Sequence, residues 1–229
     1  MVTKEEFYKK RSQTYVIDDH EADFRYRRAL DLVKGRLPNR SLNVAEIGCK
    51  FAAVRAIMDE RRIAHRYTGI DLDAGALAKV TARENDVFVV ADADNPIVGL
   101  ENNVDLFLAM EVIEHVESPV RVLKTLKSHL APGGMILMSV PNPYFWGEIL
   151  HNLRRAPDVE GHLSSLTHIN IDAICRFAGL KQVVRCGTFN RIPFTRRLFG
   201  RHKLLSSDTL FGARSMIFGL VRNEDVTVK

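Results

Sequence analysis

A chain of 229 residues that is 46% hydrophobic is long enough to close a full core and too apolar for a disordered segment. Lys and Arg outnumber Asp and Glu by 33 to 28, and the formal net charge of +5 permits an anionic partner without identifying one. No apolar run approaches the ~20 residues of a membrane helix, and MVTKEEFYKKR lacks the apolar stretch of a signal peptide, so a cytoplasmic protein is expected. Cys49, Cys175 and Cys186 form no CxxC pair, which argues against a disulfide framework or structural zinc.

In chain order, Thr3 to Ser12 reads as a polar helix and Asp19 to Arg36 as a second, closed by Leu37-Pro38-Asn39. Together they make a helical flank over residues 1–40, a lid or a packing layer, ahead of a main domain over 41–229. Leu42 to Ile47 is a first strand, Phe51 to Ile63 a helix and Arg66 to Ile70 a second strand. Ala74 to Ala82 continues as helix, and Asp86 to Val90 is a third strand that ends in Ala91-Asp92-Ala93-Asp94.

The run from Asp105 to Asn142 is the most informative. Val104 to Met110 and Met135 to Val140 are buried-strand patterns, and Val120, Leu123, Leu126 and Leu130 recur between them at helical spacing. Strand, helix and strand in that order form a right-handed parallel crossover, whose ligands bind beyond the strands' carboxyl ends. Glu111, Glu114 and His115 stand at such an end. Further on, His168 to Ala178 is a helix stopped by Gly179, and Lys181 to Phe189 with Ser215 to Val221 resemble a closing antiparallel pair. Alternating strands and helices predict an α/β, doubly wound, mainly parallel sheet.

Four successive strands end in acids: Glu46, Asp71, Asp92 and Glu111. Gly48 opens a tight turn into a helix, where free backbone N–H groups meet a nucleotide-type ligand. Asp71 lies where a carboxylate accepts from both ribose hydroxyls, and Asp92 suits an exocyclic amine of a base. Asp71 and Asp92 could equally cap the helices that follow them.

With those motifs in place, Val44 to Asn142 resembles the class I S-adenosylmethionine-dependent methyltransferases, through EIGC, YTGIDLD, VVADADNPI, VDLFLAMEVIEHV and LAPGGMILMSVPN in that order. The resemblance implies a Rossmann-like seven-stranded sheet with helices on both faces. By position it implies Gly48 along the methionine part of the cofactor, Glu46 at its amino group and Asp71 on the ribose. Leu72 would lie against the adenine, Asp92 and Ala93 at the adenine edge, and Met110 and Glu111 beside the sulfonium. The usual GxGxG turn is here Gly48, Lys50 and Ala52, and a left-handed backbone at those positions is costly without glycine.

The branches most resembled are the ubiquinone-pathway O-methyltransferases and the small-RNA 3′-end methyltransferases, in which an ExxEH run can ligate a divalent metal. Glu111, Glu114 and His115, with His162 as a fourth ligand, are candidates for that role. Two other readings stand beside it: His115, with Glu114, as the general base that takes a proton from the acceptor, and both residues as plain capping groups. A metal is therefore conditional, and S-adenosylmethionine is the expected cofactor.

Arg191 to Leu205, within an insertion over about 190–212, interleaves basic and apolar residues. It suits a lipid-linked or phosphorylated acceptor or an anionic bilayer to which the protein is peripheral, and equally a solvated loop. Phe145 and Trp146 are expected to cover the acceptor pocket. The expected activity is methyl transfer to an oxygen of a small-molecule, lipid-linked or glycan-linked acceptor. Lys50 and Ala52 motivate a non-catalytic binding protein as the alternative, and RNA modification is a second, without an aromatic-rich nucleic-acid module to support it.

Overall fold

The computed structural model describes residues 3–12, 20–155, 159–192 and 194–225. Asp19, expected to begin the second helix, and Pro193, inside the basic insertion, lie outside them. Two helices, α1 (Lys4–Ser12) and α2 (His20–Val33), precede the alternation β1 (Leu42–Ile47), α3 (Ala53–Glu60), β2 (His65–Asp71), α4 (Ala74–Leu77), β3 (Asp86–Val90) and β4 (Val104–Met110). The chain continues through α5 (Pro119–His129), β5 (Leu130–Pro141), α6 (Trp146–Leu153), α7 (His168–Ala178), β6 (Leu180–Gly187), β7 (Phe189–Arg191), α8 (Thr195–Phe199), β8 (Leu204–Ser206) and β9 (Ser215–Arg222).

Seven strands form one sheet in the order β3-β2-β1-β4-β5-β9-β6. The first five are parallel, and β9 runs antiparallel to both β5 and β6. The order reverses between β1 and β4, the switch point at which a doubly wound sheet opens a crevice.

Strand alternation divides the core. Ile47, Phe107, Ala109, Ile136 and Met138 face one side, where α5 brings Leu123 and Leu126 and α7 brings Ile171 and Cys175. Val44, Leu106, Leu108 and Leu137 face the other, under Leu30 and Val33 of α2 and Val54 and Met58 of α3. Each fully buried Leu contributes about 1.5–3 kcal/mol relative to exposure, so both layers hold the strands firmly.

Several expected boundaries move. The helix after β1 begins only at Ala53, because Ala52 sits at φ 53°, a left-handed conformation that cannot belong to the helix. α4 stops at Leu77, short of Ala82; Gly75 inside it and the β-branched Val80 and Thr81 beyond weaken any continuation. The buried face of α5 uses Val122 with Leu123 and Leu126, while Val120 is only half-buried and Leu130 already begins β5. The strand expected over Lys181 to Phe189 breaks at Thr188. Its second part, β7, leaves the main sheet and pairs with β8 in a separate hairpin.

Candidate active site

A cavity of about 180 Å³ opens at the carboxyl ends of β1, β2, β3 and β4. Gly48, Asp71, Leu72, Asp92, Ala93, Glu111 and His115 all line it. Glu46 and Met110 stand behind the wall rather than in it. Glu46 is 3% exposed and accepts from the Tyr67 hydroxyl, and burial pushes its carboxyl up to about 8. Met110 is buried in the layer under α2 and α3.

The turn after β1 adopts left-handed geometry at all three GxGxG positions: φ is 71° at Gly48, 49° at Lys50 and 53° at Ala52. Two non-glycine residues in that region carry about 1–2 kcal/mol of strain each. What holds Lys50 there is Asp71, whose Oδ2 accepts from the Lys50 N–H at 2.7 Å while Oδ1 accepts from the Asp73 N–H at 2.9 Å. Burial raises the Asp71 carboxyl, and those two N–H groups pull it back. Gly48 cannot be replaced quietly, since a Cβ there would lie 2.6 Å from Val112 Cγ2.

α1 roofs this cavity. Lys4 Nζ bonds Asp92 Oδ1 at 2.9 Å and Asp94 Oδ2 at 2.7 Å. One turn later the Tyr8 hydroxyl lies 2.9 Å from His115 Nδ1 and donates to the Gly161 carbonyl at 3.1 Å. Asp94 also accepts from the Glu117 and Ser118 N–H groups, which fixes the entry to α5. Against its burial, Lys4 and those N–H groups hold the Asp94 carboxyl low.

Glu111 sits at φ 57° and is clamped: the Ser139 hydroxyl donates to Oε1 at 2.8 Å, the Ser215 hydroxyl to Oε2 at 3.4 Å, and Arg25 Nη1 is 3.8 Å from Oε2. Its carboxylate is thus turned to β5, β9 and α2. The groups whose ligand atoms come together within 4.8 Å are Glu114, His115 and His162, without Glu111. Glu111 as a fourth member of that cluster is the point at which the structure departs from the expected set.

Glu114 is 1% exposed, and neither carboxyl oxygen has a hydrogen-bond partner. Burial and the neighbouring Glu111 push its carboxyl well above the ordinary range. His115 Nε2 lies 3.9 Å from Glu114 Oε1, and the His115 and His162 rings are 4.8 Å apart between centroids. The Gly161 carbonyl, 3.1 Å from Nδ1, selects the tautomer with its proton on Nδ1, which leaves Nε2 basic. Burial lowers the His115 pKa, so the ring is neutral at pH 7.

A second cavity, of about 470 Å³, adjoins the first. Glu160 lines both, and His162, Phe145, Glu148, Arg191 and Arg214 line the second alone. Phe145 is 1% exposed in its wall, whereas Trp146 is 52% exposed and does not line it. Sequence reasoning missed Lys4, Tyr8, Glu160 and Arg214 as site residues, and it missed α6. Their partners lie far along the chain, and no local pattern announces them.

A switch-point crevice lined by acids from three strand ends, with a left-handed turn after β1, defines a nucleotide-cofactor-binding α/β domain. Residues 19–184 match the methyltransferase-domain family model. The chain belongs to this family of S-adenosylmethionine-dependent methyltransferases. It is 31% identical over 140 residues to the trans-aconitate 2-methyltransferase of Escherichia coli O6:K15:H31, covering 59% of this chain and 53% of that protein. With the ubiquinone biosynthesis O-methyltransferase of Xanthomonas campestris pv. campestris it shares 29% over 120 residues, 49% of this chain and 48% of the relative. The chain therefore spans about half the length of the curated relatives it matches.

Among solved structures, the methyltransferase in the Haloferax volcanii complex with the Trm112 activator superposes with a TM-score of 0.67 at 15% identity, over 93% of each chain. The N-methyltransferase NodS of Bradyrhizobium japonicum, solved with S-adenosyl-L-homocysteine, gives 0.62 at 15% identity, over 93% of this chain and 95% of that one. At such identities these two show the fold alone.

Proposed function

We propose that the chain moves the methyl group of S-adenosylmethionine onto an oxygen of an acceptor held in the second cavity. The observation that carries this reading is the junction: Glu160 belongs to both cavities, with the His115 and His162 rings, 4.8 Å apart between centroids, beside it. A methyl donor in the first cavity and an oxygen in the second would meet there. Methyl transfer is an in-line displacement, so the protein contributes alignment and a place for the acceptor's proton. His115 Nε2, neutral and unprotonated at pH 7, suits that place. Gly48, Asp71, Leu72, Asp92 and Ala93 would hold the cofactor.

A second reading of the cluster rests on Glu114, whose buried oxygens lack partners. A divalent ion on Glu114, His115 and His162 would satisfy them and acidify a bound hydroxyl. The acceptor would then need no histidine base. The two readings separate in a single assay series with radiolabelled cofactor. Under the base reading, chelator has no effect and His115→Ala slows transfer about 10²–10⁴-fold with cofactor affinity unchanged. Under the metal reading, chelation abolishes transfer and magnesium, manganese or zinc restores it. A fully active His115→Ala variant, untouched by chelator, would eliminate both.

The relatives' printed names, trans-aconitate 2-methyltransferase and ubiquinone biosynthesis O-methyltransferase, support a small or lipid-linked acceptor. Among the described residues no helix is long and apolar enough to cross a membrane. Peripheral attachment is supported instead by α8 and its flanks, where Phe194, Leu198 and Phe199 are 82%, 73% and 57% exposed beside exposed Arg196, Arg197 and Arg201.

A further inference from the structure

The second cavity holds an anomaly of charge. Arg214 stands between β8 and β9 with its backbone fixed on both sides: its N–H donates to the Phe189 carbonyl at 2.8 Å, and its own carbonyl accepts from the Asn142 N–H at 3.1 Å. The guanidinium carbon lies 5.8 Å from the centre of the Phe145 ring, and that of Arg191 lies 5.7 Å from the same ring. Arg191 is bidentate to Glu21 at 2.7 Å through Nε and Nη2. Arg214 is ion-paired with Glu148 but has no bidentate match. Its Nη1 is closed off from solvent and makes no hydrogen bond, although Glu148 Oε1 is only 3.1 Å away, out of bonding geometry.

A buried guanidinium nitrogen whose carboxylate partner sits out of hydrogen-bond geometry is only partly satisfied, and a guanidinium's fixed fork is matched by a planar or tetrahedral oxyanion. Glu148 rides on α6, which buries none of its residues, so a ligand can displace its carboxylate without disturbing the core. We infer that the acceptor is an anion, and that its carboxylate or phosphate group is gripped by Arg214 with Arg191 beside it, over the Phe145 ring. The inference deepens the methyltransferase reading by naming the acceptor class, and it rests on that reading for the word acceptor. The arrangement gives the second cavity two ends. An oxyanion at Arg214 anchors the molecule, and the reacting oxygen reaches toward His162 and Glu160 at the junction.

The experiment is calorimetric titration of the full chain with benzoate, phenyl phosphate and the neutral benzamide, each with and without S-adenosylhomocysteine. The expected result is that at least one anionic probe binds, more weakly at higher salt, and benzamide does not. Benzoate against phenyl phosphate tells a carboxylate reader from a phosphate reader. Arg214→Gln should weaken the anionic probe by roughly 10- to 100-fold, as expected for hydrogen bonds to a charged group. Glu148→Gln, which removes the competing carboxylate, should tighten it. Equal binding of benzamide and benzoate, or no change in either variant, would overturn the inference, as would a failure of both anions to bind. If the anion binds at Arg214 and S-adenosylhomocysteine does not bind at all, it is the methyltransferase reading that fails, and the anion site stands.

Discussion

Lys50 sets a residue's preference against the backbone it occupies. An L-residue at φ 49° is strained, yet its N–H is held by the Asp71 carboxylate that is also expected to hold the ribose. The turn is thus enforced by a hydrogen bond at a position where glycine would be unstrained. Lys50→Gly should tighten S-adenosylhomocysteine by on the order of 1 kcal/mol through relief of that strain. Calorimetry decides it, and a clear loss of affinity would mean that the lysine side chain itself serves the ligand. Glu114 makes the complementary case through pH. Its folded pKa lies well above the ordinary 4.5, so the native chain keeps a proton that the unfolded chain has lost. Such a group costs stability as pH rises above 4.5 toward its folded value. Glu114→Gln should therefore leave stability near pH 4 unchanged and raise it progressively at neutral pH. Denaturant unfolding across that range checks the sign. A variant less stable than wild type at pH 8 would show that the carboxylate, ionised, is satisfied by a cation. His115 adds the opposite slope: its lowered pKa means that stability falls as pH drops through the ordinary histidine range of about 6.5.

At the scale of elements, what was legible followed from periodicity and what was not followed from distance. The bounds of β1, β3, β4 and α7 could be read directly, because apolar runs, Gly179 and the acids at strand ends are local signals. Asp71, Asp92 and Glu111 converge on one cavity because parallel strands deliver their carboxyl ends to the same edge. α1 could not be placed so. Its mean composition is polar, and the contacts that dock it join Lys4 to Asp92 and Tyr8 to His115, across 88 and 107 residues. α6 was missed for a related reason, since it covers a cavity and buries none of its own residues. The docking of α1 is testable. Removing Lys4 breaks two partly exposed ion pairs, to Asp92 and Asp94, at a combined cost on the order of 1 kcal/mol, about a fivefold change in an opening equilibrium. Lys4→Ala should accelerate amide exchange within Lys4–Ser12 by about that factor and release bound S-adenosylhomocysteine faster. Unchanged exchange would mean that Tyr8, through His115 and Gly161, holds the helix alone.

Over the whole molecule, charge is distributed unevenly. Arg191, Arg196, Arg197, Arg201 and Lys203 put five positive charges and no acid into residues 191–205, so this one segment carries as much charge as the chain's entire net of +5. The remainder is neutral overall. The same segment holds out apolar side chains, with Phe194 at φ 62°, a strained conformation for an aromatic residue that is 82% exposed. Strain that points an apolar ring at solvent is sensible only if the ring has somewhere else to go. α6 flanks the same cavity and adds Trp146 and Leu153, 52% and 76% exposed. Basic side chains near an anionic bilayer contribute about 1 kcal/mol each, and the apolar ones add their burial at the interface. The protein should therefore sediment with phosphatidylglycerol vesicles and not with phosphatidylcholine vesicles. Binding should weaken as salt shortens the screening length from ~10 Å at 0.1 M toward 3 Å at 1 M. Arg196→Glu with Arg197→Glu should abolish it while leaving S-adenosylhomocysteine affinity unchanged, because neither residue lines the first cavity. Phe194→Ser should weaken it without altering its salt dependence. Sedimentation of the doubly substituted protein at wild-type levels would remove the electrostatic account, and a wild type that stays in the supernatant would remove the membrane altogether.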